Sequence, residues 1–424
     1  MKKDYKKLLK KEITNSPVQI NSEIGKLKTV LLKRPDKEIQ NITPNNMEKL
    51  LFDEIPYLPI AQKEHDTFAQ ILKKNGCQVL YLEDLLIETL NKIEKGTRTQ
   101  FLKKFLQESG FSSGIIYKEL FHYLSSMENR VLIHKIISGV RKKELNVVKE
   151  TNLNEKNEDF YLQPMPNLYF TRDASAFVGS GVTINKMTYK ARRRESLFNQ
   201  LIFKYHPFFA HKNIPLWRGR NHRSHIEGGD EIVLSKEILA IGISQRTRFE
   251  AIKDLAKRLF KDKKSTFKKI LAIKIPENRA MMHLDTVLTM VNTEQFTVHP
   301  KIANKENYND IFILTPDQKH ANDLFIQYRT DLKQCLKTSL KLNEIDMIET
   351  GNGDPIDAAR EQWSDGTNTL AISPGTVVTY NRNYISNELL RKHGIKVIET
   401  PSSELSRGRG GPRCMTCPIF RENI

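Results

Sequence analysis

Short apolar runs cut by turn residues open the chain. Leu27, Val30, Leu31 and Leu32 cluster within 26–34 and stop at Pro35, which predicts a buried strand and then a turn. Pro44 predicts the start of a helix-like stretch. Residues 60–75 carry helical spacing that ends at Gly76, and 78–82 reads as a second strand. From 87 to 148 the texture changes. Leucine, isoleucine and lysine recur at helical spacing without strand-like alternation, predicting helices over 97–108, 114–125 and 129–140. The stretch is neither Gly/Ser-rich nor poor in apolar residues, so it reads as a helical insertion rather than a linker.

After Thr151 short strands and helices return. Residues 239–243 and 270–275 read as strands flanking a helix over 247–260. Strands are predicted at 286–291 and 311–314, mostly helix over 318–339, a hairpin of 369–373 with 376–380 around Pro374-Gly375, and a last strand at 395–398. The rhythm is mixed α and β, and no internal sequence repeat is visible.

Composition narrows the class. A chain of 424 residues with 39% hydrophobic and 28% charged positions can bury a large core. No run of about 18 apolar residues exists, so no membrane span is expected, and the Lys-rich start lacks the apolar stretch of a secretory signal. Four scattered cysteines do not make a disulfide framework, which fits a reducing cytoplasm. The net charge of +18 would suit an acidic partner, but the basic residues are spread along the chain with no aromatic-interleaved block. Nucleic acid is therefore not expected as a partner.

Four segments could carry chemistry. Residues 407–418 place Cys414 among Arg407, Arg409, Arg413 and several glycines; flanking guanidiniums favour a thiolate, and glycines admit close approach of a ligand. The same segment also reads as a solvated basic tail. His283 and Asp285 stand two apart at the start of an apolar run, where a period of two turns both to one side. Glu227 and Asp230 flank a Gly-Gly turn, and Glu227 could keep His283 protonated. Asp173 ends the run Pro166-Asn167-Leu168-Tyr169-Phe170-Thr171-Arg172-Asp173. Each of these also reads as an ordinary surface feature. His222, His225 and Glu227 offer metal-ligand atoms, but His-x-x-His-x-Glu is not a trusted zinc spacing and Arg223 repels a cation. Cys417 reads as packing or incidental.

Taken in order, the segments Ser22–Leu27, Phe52–Tyr57, Gln62–Asp66, Phe170–Asp173, Glu227–Asp230, Met282–Asp285, Arg360–Trp363 and Arg409–Cys414 resemble arginine deiminases, of the guanidino-group-modifying superfamily, over nearly the whole length. The resemblance implies a five-bladed α/β propeller of pentein type, built from ββαβ units, with an inserted α-helical domain. The propeller would take 1–86 and 152–424, and the insertion 87–151. It further implies hydrolysis of L-arginine to L-citrulline and ammonium without metal or organic cofactor. Cys414 matches the nucleophile, His283 the general acid and base, Glu227 its partner, and Asp173 with Asp285 the guanidinium clamp. Arg192, Arg246 and Arg409 match residues holding the substrate's carboxylate side, and Asn167 a substrate contact. A cytoplasmic homo-oligomer is expected.

Some positions depart from that pattern. The pI near 9.5 is high for the family, and the Lys2–Lys11 extension has no assigned role. Cys417 stands where methionine is usual, and a second thiol so near could trap Cys414 as a disulfide. Ser364–Asn368 differs from the usual acidic wording, and is read as touching no catalytic residue. The alternatives are a related guanidine hydrolase or amidinotransferase, and an inactive basic nucleic-acid-binding relative.

Overall fold

The computed structural model describes residues 16–145, 159–303, 309–320 and 323–424. Within these, five sheets repeat one local plan. A central strand pairs antiparallel with one neighbour and parallel with another, and because parallel partners need a long crossover, a helix joins that pair. Ser175–Val178, Gly181–Ile184 and Leu216–Arg218 follow the plan around helix Glu195–Tyr205. Glu231–Ser235, Ile238–Ile243 and Lys269–Lys274 follow it around helix Phe249–Lys261. Leu288–Met290, Gln295–Val298 and Asp346–Glu349 form the next unit, with helix Leu332–Leu340 in its crossover. Leu370–Ser373, Thr376–Tyr380 and Lys396–Thr400 form another around helix Tyr384–Lys392.

The remaining unit joins the two ends of the chain. Leu27–Leu32 pairs parallel with Gln78–Tyr81 across helix Leu58–Lys74, and antiparallel with Cys417–Arg421. Ile419 in that last strand is fully buried, which contributes about 2 kcal/mol of anchoring. The segment holding Cys414 is thus a stitched strand entrance, not a basic tail.

The crossover helices form because their apolar positions share one face. In Phe249–Lys261 the buried residues are Ala251, Ile252, Leu255, Ala256 and Leu259, spaced to cover a sheet. Between the first two units of the chain lie helices Leu82–Leu90, Lys95–Glu108, Gly114–Ser125 and Asn129–Ser138. Their apolar residues share a core cluster with the sheets, and Phe105 stacks on Phe198 with ring centroids 5.9 Å apart. Glu108 receives both terminal nitrogens of Arg220 at 2.7 and 2.6 Å. The expected boundary at 151–152 and the Lys2–Lys11 extension lie outside the described residues.

Three expectations change. The stretch after Pro44 is a run of turns rather than a helix. Thr43 N–H donates to Asn46 Oδ1 at 2.8 Å, a local side-chain bond that competes with helix formation, and the run ends at Leu51 with φ 65°. Residues 318–339 are not mostly helix. Leu324–Arg329 is an edge strand whose aromatic and β-branched residues pair with Ile311–Pro316, and the helix begins only after the Asp331 cap. The 286–291 strand shortens to Leu288–Met290, because Leu284–Thr286 is a tight 3₁₀ turn.

Candidate active site

In all five units the chain makes a short turn just before its first strand, and those turns converge. Asp173 lies in the turn Thr171–Ala174 before Ser175–Val178, and Glu227 opens the turn Gly228–Asp230 before Glu231–Ser235. His283 precedes, and Asp285 lies within, the turn Leu284–Thr286 before Leu288–Met290. Cys414 precedes Cys417–Arg421, and Asn368 precedes Leu370–Ser373. Two residues apart on a strand was therefore the wrong local geometry for His283 and Asp285, although both do enter the site. The convergence needs a residue without a side chain. A Cβ on Gly229 would stand 2.7 Å from His283 Cγ and 2.9 Å from Asp173 Oδ1.

Asn167, Asp173, Arg192, Arg246, His283, Arg409 and Cys414 line one cavity of about 20 Å³, room for about one water. Glu227 and Asp285 stand directly behind them. His283 Nε2 is 2.9 Å from Glu227 Oε2, and Cys414 Sγ is 3.7 Å from Asp285 Oδ2. His283 Nδ1 faces Asp173 Oδ1 at 3.7 Å. A second cavity of about 940 Å³, on the side of the helical segment, shares Leu51, Arg246, Arg279 and Met282 with the first.

The two aspartates are held alike. Asp173 Oδ2 accepts from Arg192 Nη1 at 2.6 Å, and Asp285 Oδ2 from Arg413 Nη1 at 2.7 Å. In each the other oxygen, Oδ1, is buried with no hydrogen-bond partner. A buried carboxylate oxygen without a hydrogen bond is costly, so two of them, one on a residue lining the chamber and one on a residue directly behind it, mark where a cationic donor belongs.

Burial would push His283 toward the neutral form. The Asp173 charge, the Glu227 hydrogen bond and the Asp230 charge outweigh it and raise its pKa to about 9. Glu227 itself is driven up by burial but held well below the ordinary carboxylate range by Arg246 and His283. Cys414 runs against the expectation of a thiolate. Burial raises its pKa well above 9.0, and Asp285, Asp173 and Asp365 add to the rise against Arg413. The reason is geometric: Arg413 is spent on Asp285 and on Glu23 at 2.9 Å, and Arg409 stacks on Trp363 with its guanidinium carbon 3.3 Å from the ring centre.

The three expected carboxylate-holding arginines differ in what they touch. Arg192 is bonded to Asp173 and to both oxygens of Glu195. Arg246 bonds Glu227 at 3.2 Å and lies over the Tyr189 ring. Arg409, held at φ 65°, keeps Nε and Nη1 buried and unpartnered. Asn167 Nδ2 donates to Leu50 O at 2.6 Å, tying the entrance turn to the chamber. Asp230 does not reach the cavity; it accepts from Ser244 Oγ and from Leu284 N–H, bracing one catalytic turn against the next. Cys417 Sγ donates to Ser175 O at 3.3 Å inside the core.

Arg279, Trp363 and Asn368 were given no site role from the sequence, and Arg413 was read only as a guanidinium favouring the Cys414 thiolate. Arg279 bonds Asp53 and Leu51 O across the entrance. Arg360–Trp363 did mark the neighbourhood of Trp363. The view that Ser364–Asn368 touches no catalytic residue is overturned, since Asn368 Oδ1 accepts the Cys414 N–H at 3.0 Å. Asp173, Glu227 and His283 bring possible metal-ligand atoms within 4.8 Å of one another. Two of those groups already carry a guanidinium, Arg192 or Arg246, which disfavours a metal cation there. His222 and His225 join no such cluster among the described residues.

Comparison with known proteins gives the family. The family model described as arginine deiminase matches residues 48–421. An arginine deiminase of Lentilactobacillus hilgardii is 60% identical over 412 residues, covering 96% of this chain and 98% of that protein. One from Levilactobacillus brevis is 56% identical over 412 residues, covering 96% and 100%. Among solved structures, SxtG, an amidinotransferase from Microseira wollei, aligns with TM-score 0.56 at 13% identity, covering 96% of this chain and 98% of that one. AgrE in complex with ornithine and NAD+ aligns with TM-score 0.53 at 15% identity over 93% of this chain, which spans only 39% of AgrE. These structural likenesses place the mixed α/β fold in the pentein group. With a family match over most of its length and full-length relatives above half identity, the chain belongs to the arginine deiminase family.

Proposed function

We propose that this chain hydrolyses L-arginine to L-citrulline and ammonium through a covalent intermediate on Cys414. The observation that carries the reading is the pair of buried, unpartnered oxygens, Asp173 Oδ1 and Asp285 Oδ1, beside a cysteine and a cationic histidine. A guanidinium is planar and donates on each edge, so two carboxylates can hold it and fix its carbon near sulfur.

Cys414 loses its thiol proton to solvent as the cationic substrate docks, and Sγ attacks the guanidinium carbon as thiolate. Imidazolium His283 then protonates a terminal amino group, the C–N bond breaks, and ammonia leaves an S-alkylthiouronium cation. Neutral His283 next takes a proton from water as its oxygen attacks the same carbon. The C–S bond breaks, sulfur leaves as thiolate, and the remaining hydroxyl proton passes to solvent, where ammonia takes up one proton. The high pKa of His283 supports its starting as the acid. Arg409, with free donors, and Arg246 suit the substrate's carboxylate; Arg192 and Asn167 complete the wall.

We further read the five repeated sheets as a five-bladed propeller over 1–86 and 152–424, with 87–151 inserted. Four buried free cysteines support a cytoplasmic location. No helix among the described residues is long and apolar enough to cross a membrane. Exposed Phe325, Ile326 and Tyr328 on an edge strand support a homo-oligomer.

Mass spectrometry of enzyme quenched during turnover tests the reaction. An arginine-derived adduct on Cys414, absent from Cys414→Ala, together with citrulline release is expected. Turnover by Cys414→Ala would overturn the reading.

A further inference from the structure

Four of the five converging turns supply a group to the proposed chemistry: Asp173, Glu227, His283 with Asp285, and Cys414. The turn before Leu370–Ser373 has the same place in its unit and supplies Asn368. Its side chain is fully buried and points at two partners on two different turns. Oδ1 accepts the backbone N–H of Cys414 at 3.0 Å, and Nδ2 donates to the backbone carbonyl of Asp285 at 3.1 Å.

We propose that Asn368 is a positioning residue that sets the spacing between the attacking sulfur and the guanidinium clamp. The proposal rests on Cys414 being the nucleophile. One planar amide spans the turn that carries sulfur and the turn that carries a clamp carboxylate. Amide geometry is rigid, so the two backbones keep a fixed separation however the side chains respond to substrate. Sulfur and Asp285 Oδ2 sit 3.7 Å apart across that bridge.

Two further contacts make this joint stiff. The backbone N–H of Asn368 donates to Asp365 O at 3.0 Å, closing its own turn. On the cysteine side the chain passes Asn368 at Gly411, where a Cβ would stand 2.7 Å from Asn368 O and 2.8 Å from its Oδ1. Only a residue lacking Cβ lets the two turns touch. Both amide bonds are also needed to satisfy buried backbone groups, so no apolar side chain of the same size replaces them.

Among the described residues the side-chain bonds of Asn368 go only to main-chain atoms of Cys414 and Asp285, so its loss should misplace the reacting atoms and leave substrate binding largely intact. A shift of this kind costs about 10²-fold in rate. The test compares Asn368→Ala and the isosteric Asn368→Asp with the parent chain. Asp keeps the acceptor for Cys414 N–H and loses the donor to Asp285.

Single-turnover formation of the Cys414 adduct and kcat should fall about 10²-fold in both variants, with KM changing less than about threefold. The proposal is overturned if either variant folds with the parent's melting temperature and forms adduct within about twofold of the parent's rate. It is also overturned if KM rises in step with the fall in kcat/KM while kcat holds, since Asn368 would then be a binding residue. Should Asn368→Ala not fold, Asn368→Asp alone decides by the same two readings. Failure of the underlying reading shows differently: Cys414→Ala would itself retain turnover, whatever Asn368 does.

Discussion

Asp173 and Asp285 stand at one site in the same posture, each with Oδ2 on an arginine and Oδ1 buried without a hydrogen-bond partner. The arginines behind them are not left alone when an aspartate loses its charge. Arg192 retains Glu195, and Arg413 retains Glu23. Asp173→Asn and Asp285→Asn should therefore fold, while each removes half of the guanidinium clamp. Loss of one buried charge partner costs about 2–5 kcal/mol. Steady-state assays should show kcat/KM reduced by at least about 30-fold in each, and a decrease under about threefold would remove that aspartate from the proposed clamp.

The His283 and Glu227 pair sets a pH window. His283 has a folded pKa raised from 6.5 to about 9, so its contribution to stability is fully present below about 6.5 and is lost as pH rises through about 9. The rise corresponds to about 3 kcal/mol. Glu227 works in the opposite sense: its depressed pKa stabilises above about 4.5, and that contribution is lost on acidification. Denaturant titrations should give parent stability falling between pH 7 and 10. In Glu227→Gln that slope should shrink, because the imidazolium loses its hydrogen-bonded anion. An equal slope in the two proteins would place the titrating group elsewhere.

Cys414 rests as a thiol because burial and three carboxylates, on Asp285, Asp173 and Asp365, face it. A guanidinium docked on the two bare oxygens brings positive charge beside sulfur and cancels part of that field. The thiolate should therefore gain population when a non-reactive guanidinium ligand binds. Ultraviolet thiolate absorbance, taken as the difference between the parent and Cys414→Ala, should titrate at lower pH with ligand than without. Identical titrations would count against substrate-assisted activation.

Much of this site was readable because its residues come in compact local motifs. Glu227-Gly-Gly-Asp230 and Met282-His-Leu-Asp285 hold their partners within a few positions, and the helical texture of 87–148 appears as the three helices Lys95–Glu108, Gly114–Ser125 and Asn129–Ser138 in the described part. Other features depend on contacts that no local pattern records. Whether Arg413 would feed the thiolate or the clamp was decided by Glu23, which lies 390 positions away. The repeated unit was invisible because what recurs is strand pairing and turn placement, not residues. Leu324–Arg329 was misread as helix since an edge strand's identity comes from the neighbour it pairs with, here Ile311–Pro316. Asn368 was passed over for the same reason, as its partners belong to two other turns.

Trp363 covers Arg409 with its ring, at 3.3 Å from ring centre to guanidinium carbon. Among the described residues no acid lies within hydrogen-bond reach of Arg409; the Asp365 charge acts on it from farther off. The indole is thus the wall that keeps the guanidinium pointed into the chamber with Nε and Nη1 free. A cation–π contact of this kind is worth about 0.5–2 kcal/mol. Trp363 is itself nearly half exposed, so its removal should not damage the core. Trp363→Ala should raise KM for arginine about 3–30-fold and leave kcat within about twofold, because the proposed role of Arg409 is to hold the substrate's carboxylate, remote from sulfur. Trp363→Phe should restore most of the affinity. Agmatine, which lacks the carboxylate, should bind parent and Trp363→Ala equally, and a matching loss for agmatine would show that the ring acts on something other than Arg409.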